Sequence, residues 1–227
     1  MNLRNRASKS FLWTGVEHIG AQGISFVISV IIARLLFPED FGLIGMLVVF
    51  TAIANILVDC GMSHSIIRTQ HADKLDYASV FRFNVAVALL LYALLFFTAP
   101  LIARFYETET LTVLLRWYAL IVVANALGIV QKARLVRSLQ FKRLLKLTLP
   151  SILMGGSTGI AMAYYGFGVW SLVGSGLVQA SSFALLLWVF VKPVNVLRFS
   201  TDKIKQHLRF GYKLMLSSLL DSVYLNS

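Results

Sequence analysis

The sequence is poor in cysteine, proline and charged side chains. Among 227 residues there are four prolines, ten aspartates and glutamates, and one cysteine, Cys60. A single cysteine cannot form a disulfide within the chain, and it offers no second thiol for redox chemistry or for a thiolate metal site. We therefore interpret Cys60 as a small buried apolar residue.

Catalytic and cofactor motifs are also missing from the sequence. The four histidines are scattered without metal-ligand spacing, and no serine or cysteine is placed by motif beside a base and an orienting acid. The chain has no glycine-rich phosphate-binding loop, so it offers no site for ATP. These absences argue against an enzyme, and they predict neither a metal ion nor a cofactor.

What the sequence has in excess is apolar side chains. Hydrophobic residues make up 58% of the chain, charged residues 14%, and the mean hydropathy is +0.76. Lipid offers no partner for backbone N–H and C=O groups, and the apolar runs lack the alternating period of barrel strands, so the runs must cross as helices. The predicted fold class is an all-α, polytopic transmembrane helix bundle.

The apolar runs repeat at about the 20 residues that a membrane-spanning helix needs. Six complete spans are predicted: Phe11 to Ala33, Phe41 to Asp59, Phe83 to Ala103, Leu111 to Val130, Leu147 to Tyr165, and Val169 to Val191. A seventh begins near Phe210 and has too few residues to finish before Ser227. We therefore expect a six-helix lobe at residues 1–209 and the truncated first helix of a second lobe at residues 210–227. We also expect the chain to be a fragment.

Pro100 and Pro150 lie near span ends, where we expect them to kink or end the helices.

The basic residues indicate the orientation of these spans. The net charge is +11, but the basic residues lie between apolar runs rather than on one folded face, so we predict no nucleic-acid partner. If the N-terminus is cytoplasmic, only Arg34, Arg104 and Arg116 of the 21 lysines and arginines fall outside. This asymmetry in short loops predicts a cytoplasmic N-terminus. The loop from Gln131 to Lys146 carries six of the basic residues and no acid, which favours contact with anionic membrane lipids.

Several polar residues lie inside the predicted spans. In the first span, Glu17 borders a helical face that carries His18, Gln22, Ser25 and Ser29. Polar residues in a membrane usually face a bundle interior or a water-filled cavity, so this face predicts either a cavity wall that contacts substrate and takes up a proton, or simple hydrogen bonding between helices.

Two further spans carry polar residues. Arg116 lies in span four and could hold a phosphate with its planar guanidinium or anchor the helix end at the interface. Asn125 adds an amide in the middle of the same span, and Asp221 lies in the incomplete seventh span. The sequence alone does not decide between a transport role and a packing role for these residues.

Four segments carry a resemblance to a known family. They are Ala33-Arg34-Leu35-Leu36-Phe37-Pro38-Glu39-Asp40-Phe41-Gly42, Ala99-Pro100-Leu101-Ile102-Ala103-Arg104-Phe105-Tyr106, Leu139-Gln140-Phe141-Lys142 and Gly166-Phe167-Gly168-Val169-Trp170-Ser171-Leu172-Val173. In these segments the chain resembles the polysaccharide transporter branch of the multidrug/oligosaccharidyl-lipid/polysaccharide exporter superfamily, which includes O-antigen and exopolysaccharide repeat-unit flippases. The resemblance implies two six-helix lobes around a cavity, of which this chain would supply the first; its length is about half of what the family implies.

The resemblance also implies a substrate. It would be an undecaprenyl-pyrophosphate-linked oligosaccharide, flipped from the cytoplasmic to the periplasmic leaflet of the bacterial inner membrane. Arg34, Arg82 and Arg116 are the candidate phosphate contacts, with Gln22 and Asn125 as polar contacts. Glu17, His18 and Asp221 are candidates for coupling to protons or other cations. Polysaccharide polymerase and export machinery would be partners.

Three other functions are compatible with parts of this pattern. The chain could belong to a cation-coupled small-molecule exporter of the same superfamily, although few acidic residues lie inside the spans. It could also be a non-transporting scaffold or an inactive fragment. A membrane glycosyltransferase or polymerase would need a large external loop with carboxylates, and the external loops are too short for that.

Overall fold

The computed structural model describes residues 20–69, 72–191, 200–209, 211–212 and 217. The described chain is helical and contains no strand. The helices are α1 (Gly20–Leu35), α2 (Pro38–Asp59), α3 (Met62–Arg68), α4 (Lys74–Phe105), α5 (Thr110–Tyr118), α6 (Leu120–Arg137), α7 (Phe141–Tyr164), α8 (Trp170–Phe190) and α9 (residues 201–209).

Five of the described segments are long and apolar enough to cross a membrane. They are α2, α4, the α5–α6 pair taken as one segment Thr110–Arg137, α7 and α8. The described part of the first predicted span is the 16-residue α1, which is apolar but shorter. The all-α, polytopic membrane bundle is therefore confirmed, and the predicted seventh span lies mostly outside the described residues.

The observed helices extend beyond several predicted spans. At the start of α4 the Asp73 carboxylate accepts a hydrogen bond from the Asp76 N–H, and Asp76 accepts one from the Asp73 N–H, both at 2.8 Å. This reciprocal capping starts the helix at Lys74, well before the apolar run begins. The fourth predicted span is interrupted at Ala119, where α5 meets α6. Neither proline ends a helix: Pro100 lies inside α4 and Pro150 inside α7.

Tight turns join the long helices. Between α7 and α8, Gly166 and Gly168 have φ angles of +78° and +54°. Glycine adopts this left-handed region at no steric cost, so these two residues allow the abrupt reversal between α7 and α8. At the other end of the bundle, Cys60 and Gly61, with φ angles of +46° and +68°, separate α2 from α3.

The basic residues gather at one end of the bundle. Arg137 at the end of α6 donates hydrogen bonds to the Ala72 carbonyl and the Tyr77 hydroxyl, beside the start of α4. Arg143 at the start of α7 donates to the Phe190 carbonyl at the end of α8. We call this end the basic rim; it comprises Arg68, Lys74, Lys132, Arg134, Arg137, Lys142, Arg143, Lys146, Lys203, Lys205 and Arg209. The opposite end carries Arg34 and Arg104, as the alternation of spans predicts.

Small residues bring α7 close to its neighbours. A methyl group built on Gly155 would lie 2.7 Å from the Ser175 backbone oxygen on α8, and one on Gly159 would lie 2.8 Å from the Ser175 side chain. Gly156 meets Ile28 of α1 in the same way. A glycine stripe on α7 therefore allows α1 and α8 to pack against it closely, which is a common device in membrane bundles.

The short helix α9 packs against the rest of the bundle at the basic rim through a buried ionic cluster. Asp76, which is 2% exposed, contacts Lys203 Nζ at 3.0 Å and His207 Nε2 at 3.3 Å. His207 Nδ1 lies 2.7 Å from the Ser65 hydroxyl of α3. The Ser200 N–H donates to the Ser79 hydroxyl at 2.9 Å. These contacts hold α9 against α3 and α4.

The chain after α9 passes directly over the corner between α2 and α3. A methyl group on Gly61 would lie 2.9 Å from the Gly211 Cα atom and would also meet the Gly211 carbonyl oxygen. A methyl group on Gly211 would collide with the Cys60 carbonyl. The two backbones are therefore in contact without intervening side chains.

Candidate functional site

Two open cavities between α1, α6, α7 and α8 share the side chain of Gln179. The smaller, of 140 Å³, lies between α1, α7 and α8, and the larger, of 390 Å³, lies between α6, α7 and α8. Their polar lining residues are Ser25, Ser29, Asn125, Lys132, Thr148, Ser151, Ser175 and Gln179. We call this set the polar groove. It places hydroxyl, amide and ammonium groups within the apolar bundle.

The polar groove runs from the middle of the membrane toward the basic rim. Asn125 lies near the middle of the 28-residue segment Thr110–Arg137, and Gln179 lies near the middle of the 21-residue α8. Lys132 is five residues from the end of α6, about 8 Å along the helix axis. The amides therefore lie deep in the membrane, and the cation lies close to the basic rim.

Asn125 is held in place by a chain of amide hydrogen bonds. Its Nδ2 donates to Asn55 Oδ1 at 3.1 Å, and Asn55 Nδ2 donates to the Thr51 carbonyl at 2.7 Å. This chain links α6 to α2 across the bundle. Asn125 thus packs between helices and also lines the polar groove, while its role as a polar contact of the substrate stays a prediction.

The predicted polar face of α1 is only partly described. Ser25 and Ser29 line the smaller cavity, whereas Gln22 is exposed on α1 and does not line either cavity. Glu17 and His18 lie outside the described residues, and so does Asp221. The expected role of these three residues in proton or cation coupling stays a prediction.

Arg116 lies on another face of its span, against α4. Its Nε atom donates to the Phe96 carbonyl at 3.3 Å, and its Cζ atom lies 4.3 Å from the centroid of the Phe96 ring. In a continuous helix the Phe96 carbonyl would accept the N–H of residue 100, but Pro100 has no N–H. Arg116 therefore supplies the donor that the proline removes, which membrane helices require from their neighbours.

The other two predicted arginines also lie away from the polar groove. Arg34 is exposed in the last turn of α1, at the end opposite the basic rim. Arg82 is half-buried in α4 and is not among the residues that line the two cavities. The structure thus places Asn125 in the larger cavity and the serines of α1 in the smaller one, and it does not bring the three arginines together.

Five groove residues were not singled out in the sequence: Gln179, Lys132, Thr148, Ser151 and Ser175. Gln179 is the polar residue in the middle of an apolar run, and this signal could have identified it. Lys132 is one of six basic residues in a single segment, so the sequence alone could not separate it from the others.

The chemistry of the polar groove is that of binding. It offers hydroxyl and amide groups, which both donate and accept hydrogen bonds, and one ammonium group at Lys132. Among the described lining residues there is no carboxylate and no cluster of metal ligands. Such a lining suits a polar ligand that carries hydroxyl groups and negative charge.

Comparison with known proteins gives a family and several relatives. The family described as "Polysaccharide biosynthesis protein" matches residues 31–227. The chain is 26% identical to the succinoglycan biosynthesis transport protein ExoT of Rhizobium meliloti, over 95% of this chain and 44% of that protein. It is 24% identical to the lipopolysaccharide biosynthesis protein WzxC of Escherichia coli, over 100% of this chain and 46% of that protein. It is 26% identical to the teichuronic acid biosynthesis protein TuaB of Bacillus subtilis, over 78% and 37%.

The chain spans less than half the length of these curated relatives. No solved structure matches it. The family match covers most of the chain, and the bundle of long apolar helices agrees with it. The chain is a multi-pass helical membrane protein that belongs to the polysaccharide biosynthesis protein family.

Proposed function

We propose that this chain forms the N-terminal lobe of a flippase that moves a lipid-linked oligosaccharide across the bacterial inner membrane. The observation that supports this function best is the polar groove, which places hydroxyl, amide and ammonium groups inside an apolar bundle of this family. The printed name of one relative, a succinoglycan biosynthesis transport protein, points in the same direction. The direction of movement would be from the cytoplasmic to the periplasmic leaflet.

In this proposal the groove binds the head of the substrate while the lipid tail stays in the bilayer. Sugar hydroxyls would exchange hydrogen bonds with Gln179, Asn125 and the serines. Lys132 would attract the pyrophosphate of an undecaprenyl-pyrophosphate carrier, because an ammonium group in a medium of low dielectric constant interacts strongly with phosphate charge. The groove residues supply binding groups, which suits a transporter.

The orientation and the lobe arrangement are part of the same proposal. We place the basic rim in the cytoplasm by the positive-inside rule, so the N-terminus is cytoplasmic and the rim contacts anionic lipids. Residues 1–209 would form the first lobe, and residues 210–227 would begin the second. Polysaccharide polymerase and export machinery would act on the product.

The sequence-predicted residues outside the groove keep defined roles in this proposal. Arg34 would lie at the periplasmic end of α1, where it could meet the pyrophosphate after the substrate has crossed. Arg82 would lie on the cytoplasmic side, and Gln22 would extend the polar face of α1. Glu17, His18 and Asp221 would provide any coupling to protons or other cations.

The proposal is tested in cells whose gene for this protein is deleted. We expect lipid-linked repeat units to accumulate facing the cytoplasm and to be cleared when the wild-type protein is restored. Gln179→Leu and Lys132→Gln should clear them poorly, because each removes a polar group of the groove. Lys146→Gln is the matched control, since it removes an exposed charge of the same rim that does not line the groove.

Normal surface polysaccharide in the deletion strain would rule out the flippase. Drug sensitivity of that strain together with proton-dependent efflux would favour the small-molecule exporter instead. Orientation is tested separately with reporter domains inserted after Phe141 and after Gly166. The first should remain cytoplasmic and the second should be exported, and the reverse result would invert the proposed topology.

A further inference from the structure

Arg116 has hydrogen-bonding capacity that its contacts within the bundle do not use. A guanidinium carries five N–H donors, and the Nε–H of Arg116 donates to the Phe96 carbonyl. Its four Nη hydrogens have no acceptor, and its charge has no carboxylate partner, among the described residues. An unpaired cation with four free donors is costly inside a membrane, so an external acceptor is expected there.

The guanidinium lies in a groove on the outside of the bundle. This groove has a volume of 310 Å³ and is lined by Tyr92, Phe96, Val113, Arg116, Trp117 and Leu120. Val113 and Trp117 are 48% and 52% exposed, so the groove opens to the surface of the described bundle. Its lining is aromatic and aliphatic apart from the guanidinium and the Tyr92 hydroxyl, and it contains no acid. We call it the lateral groove.

The depth of the lateral groove matches the boundary between headgroups and acyl chains. Arg116 is six residues beyond Thr110, the first residue of α5, which is about 9 Å along the helix axis. The 28-residue segment Thr110–Arg137 is about 42 Å long, close to the thickness of a bilayer with its headgroups. The guanidinium therefore lies just below the lipid phosphates of the leaflet opposite the basic rim, and Trp117 occupies the interfacial position typical of tryptophan.

We propose that the lateral groove binds an anionic glycerophospholipid of that leaflet, with its phosphate on Arg116, between Val113 and Trp117, and one acyl chain descending along Leu120. Phosphate oxygens are the acceptors available at this depth, and a planar guanidinium binds them with two parallel hydrogen bonds. The net negative charge of the lipid offsets the unpaired charge of Arg116. The site is distinct from the polar groove, which Tyr118, Ile121 and Asn125 line on another face of the same span.

The proposal is tested with the full chain purified in detergent and incubated with phosphatidylglycerol. Native mass spectrometry counts the retained lipid. Arg116→Gln should weaken retention at least about tenfold, because a hydrogen bond to a charged group contributes roughly 1.5–3 kcal/mol and 1.4 kcal/mol corresponds to a factor of ten. Val113→Trp should weaken it similarly by filling the lateral groove while leaving the contact between Arg116 and Phe96 in place. Arg104→Gln, which removes an exposed arginine at the same end, should retain the lipid like the wild type.

Three results would overturn this proposal. In the first, both variants retain phosphatidylglycerol like the wild type. In the second, Arg116→Gln loses the lipid but Val113→Trp retains it. The lateral groove would then not hold the lipid, and Arg116 would act only by supporting the structure of α4. In the third, phosphatidylcholine or undecaprenyl phosphate is retained more tightly than phosphatidylglycerol, so that the site does not select an anionic glycerophospholipid. The unfolding midpoint of each variant, measured in the same detergent, confirms that the compared proteins are folded.

Discussion

The Arg116 Nε atom donates a hydrogen bond to the Phe96 carbonyl, 3.3 Å away, and thereby replaces the donor that Pro100 removes from α4. The proline, the carbonyl and the arginine form one unit, although 20 residues separate the carbonyl from the arginine. The hydrogen bond joins the last third of α4 to α5, just below the headgroups of one leaflet. Any separation of these two helices would leave a backbone oxygen without a partner.

This unit predicts that Pro100→Ala and Arg116→Gln are not additive. Arg116→Gln in the wild type should lower the free energy of unfolding by about 1–3 kcal/mol, the cost of an unsatisfied buried carbonyl. With Pro100→Ala present, the alanine N–H can pair with the Phe96 carbonyl, and the same change should cost less than about 1 kcal/mol. Thermal unfolding of the four proteins, followed by tryptophan fluorescence in one detergent, gives the coupling. If Arg116→Gln costs the same stability in the wild type and in Pro100→Ala, then Arg116 does not replace the donor that Pro100 removes.

The glycine stripe of α7 predicts a steric penalty for Gly155→Ala. The added methyl group would lie 2.6 Å from Gln179 Cβ and 2.7 Å from the Ser175 backbone oxygen, so α7 and α8 must move apart. We expect a loss of about 1–3 kcal/mol in stability, measured as above, together with weaker transport because Gln179 is displaced. Gly45→Ala in α2 is the control, since its methyl group meets nothing within 4 Å. That change should be neutral or stabilise by up to about 1 kcal/mol.

The buried cluster at α9 predicts different costs for two neighbouring aspartates. Asp76→Asn removes a buried charge that contacts both Lys203 and His207, and should cost about 2 kcal/mol or more in unfolding free energy. Asp73→Asn should cost less than about 1 kcal/mol, because the exposed Asp73 is 3.7 Å from Lys203 and asparagine caps a helix as well as aspartate. Similar losses in both variants would show that the cluster does not hold α9.

The same cluster predicts how the contribution of Lys203 depends on pH. The hydrogen bond that Lys203 donates to the Asp76 carboxylate, together with the nearby carboxylate charges, raises the pKa of Lys203 above its ordinary value. A raised pKa means that the folded state favours the charged amine of Lys203. The contribution of Lys203 to stability is therefore complete below the pKa of about 10.4 that it has in the unfolded chain. It is lost as the pH rises through the higher pKa of the folded state.

Stability curves of the wild type and of Lys203→Met measure this dependence. The difference between them should stay constant from about pH 6 to pH 9 and shrink above about pH 10.4. Lys205→Met, at an exposed position of the same helix, is the control and should differ little from the wild type at any of these pH values. A difference that already disappears near neutral pH would mean that Lys203 does not pair with Asp76.

The sequence predicts the features of this fold that depend on local pattern. The described helices overlie the predicted spans because length and hydrophobicity alone determine which segments cross a bilayer. The turn at Gly166 and Gly168 and the gathering of the basic residues at one end follow from local chemistry in the same way. The longer helix α4 was not predicted, because its reciprocal cap at Asp73 and Asp76 lies before the apolar run.

The pairings between distant segments could not be predicted from the sequence. Asp76 and His207 are 131 residues apart, and nothing near either residue indicates the other. The hydrogen bond from Arg116 to the Phe96 carbonyl could not be predicted either, because the pattern of a span does not reveal that Pro100 leaves this carbonyl without a donor on the adjacent helix. The role of Arg116 as a contact of the substrate phosphate stays a prediction. Gln179 joins the site only because the α7 glycines bring α8 close to α7.

The contact between Gly61 and Gly211 has a consequence for how this protein can evolve. A side chain at position 61 is excluded by the positive φ angle of Gly61 and by the backbone of Gly211. A side chain at position 211 is excluded by the backbone of Cys60 and Gly61. Replacing one of them does not relieve the other, because each side chain would meet main-chain atoms, which cannot adopt another rotamer. Two codons 150 positions apart should therefore be kept as glycine together in related sequences, even though neither residue carries any functional group.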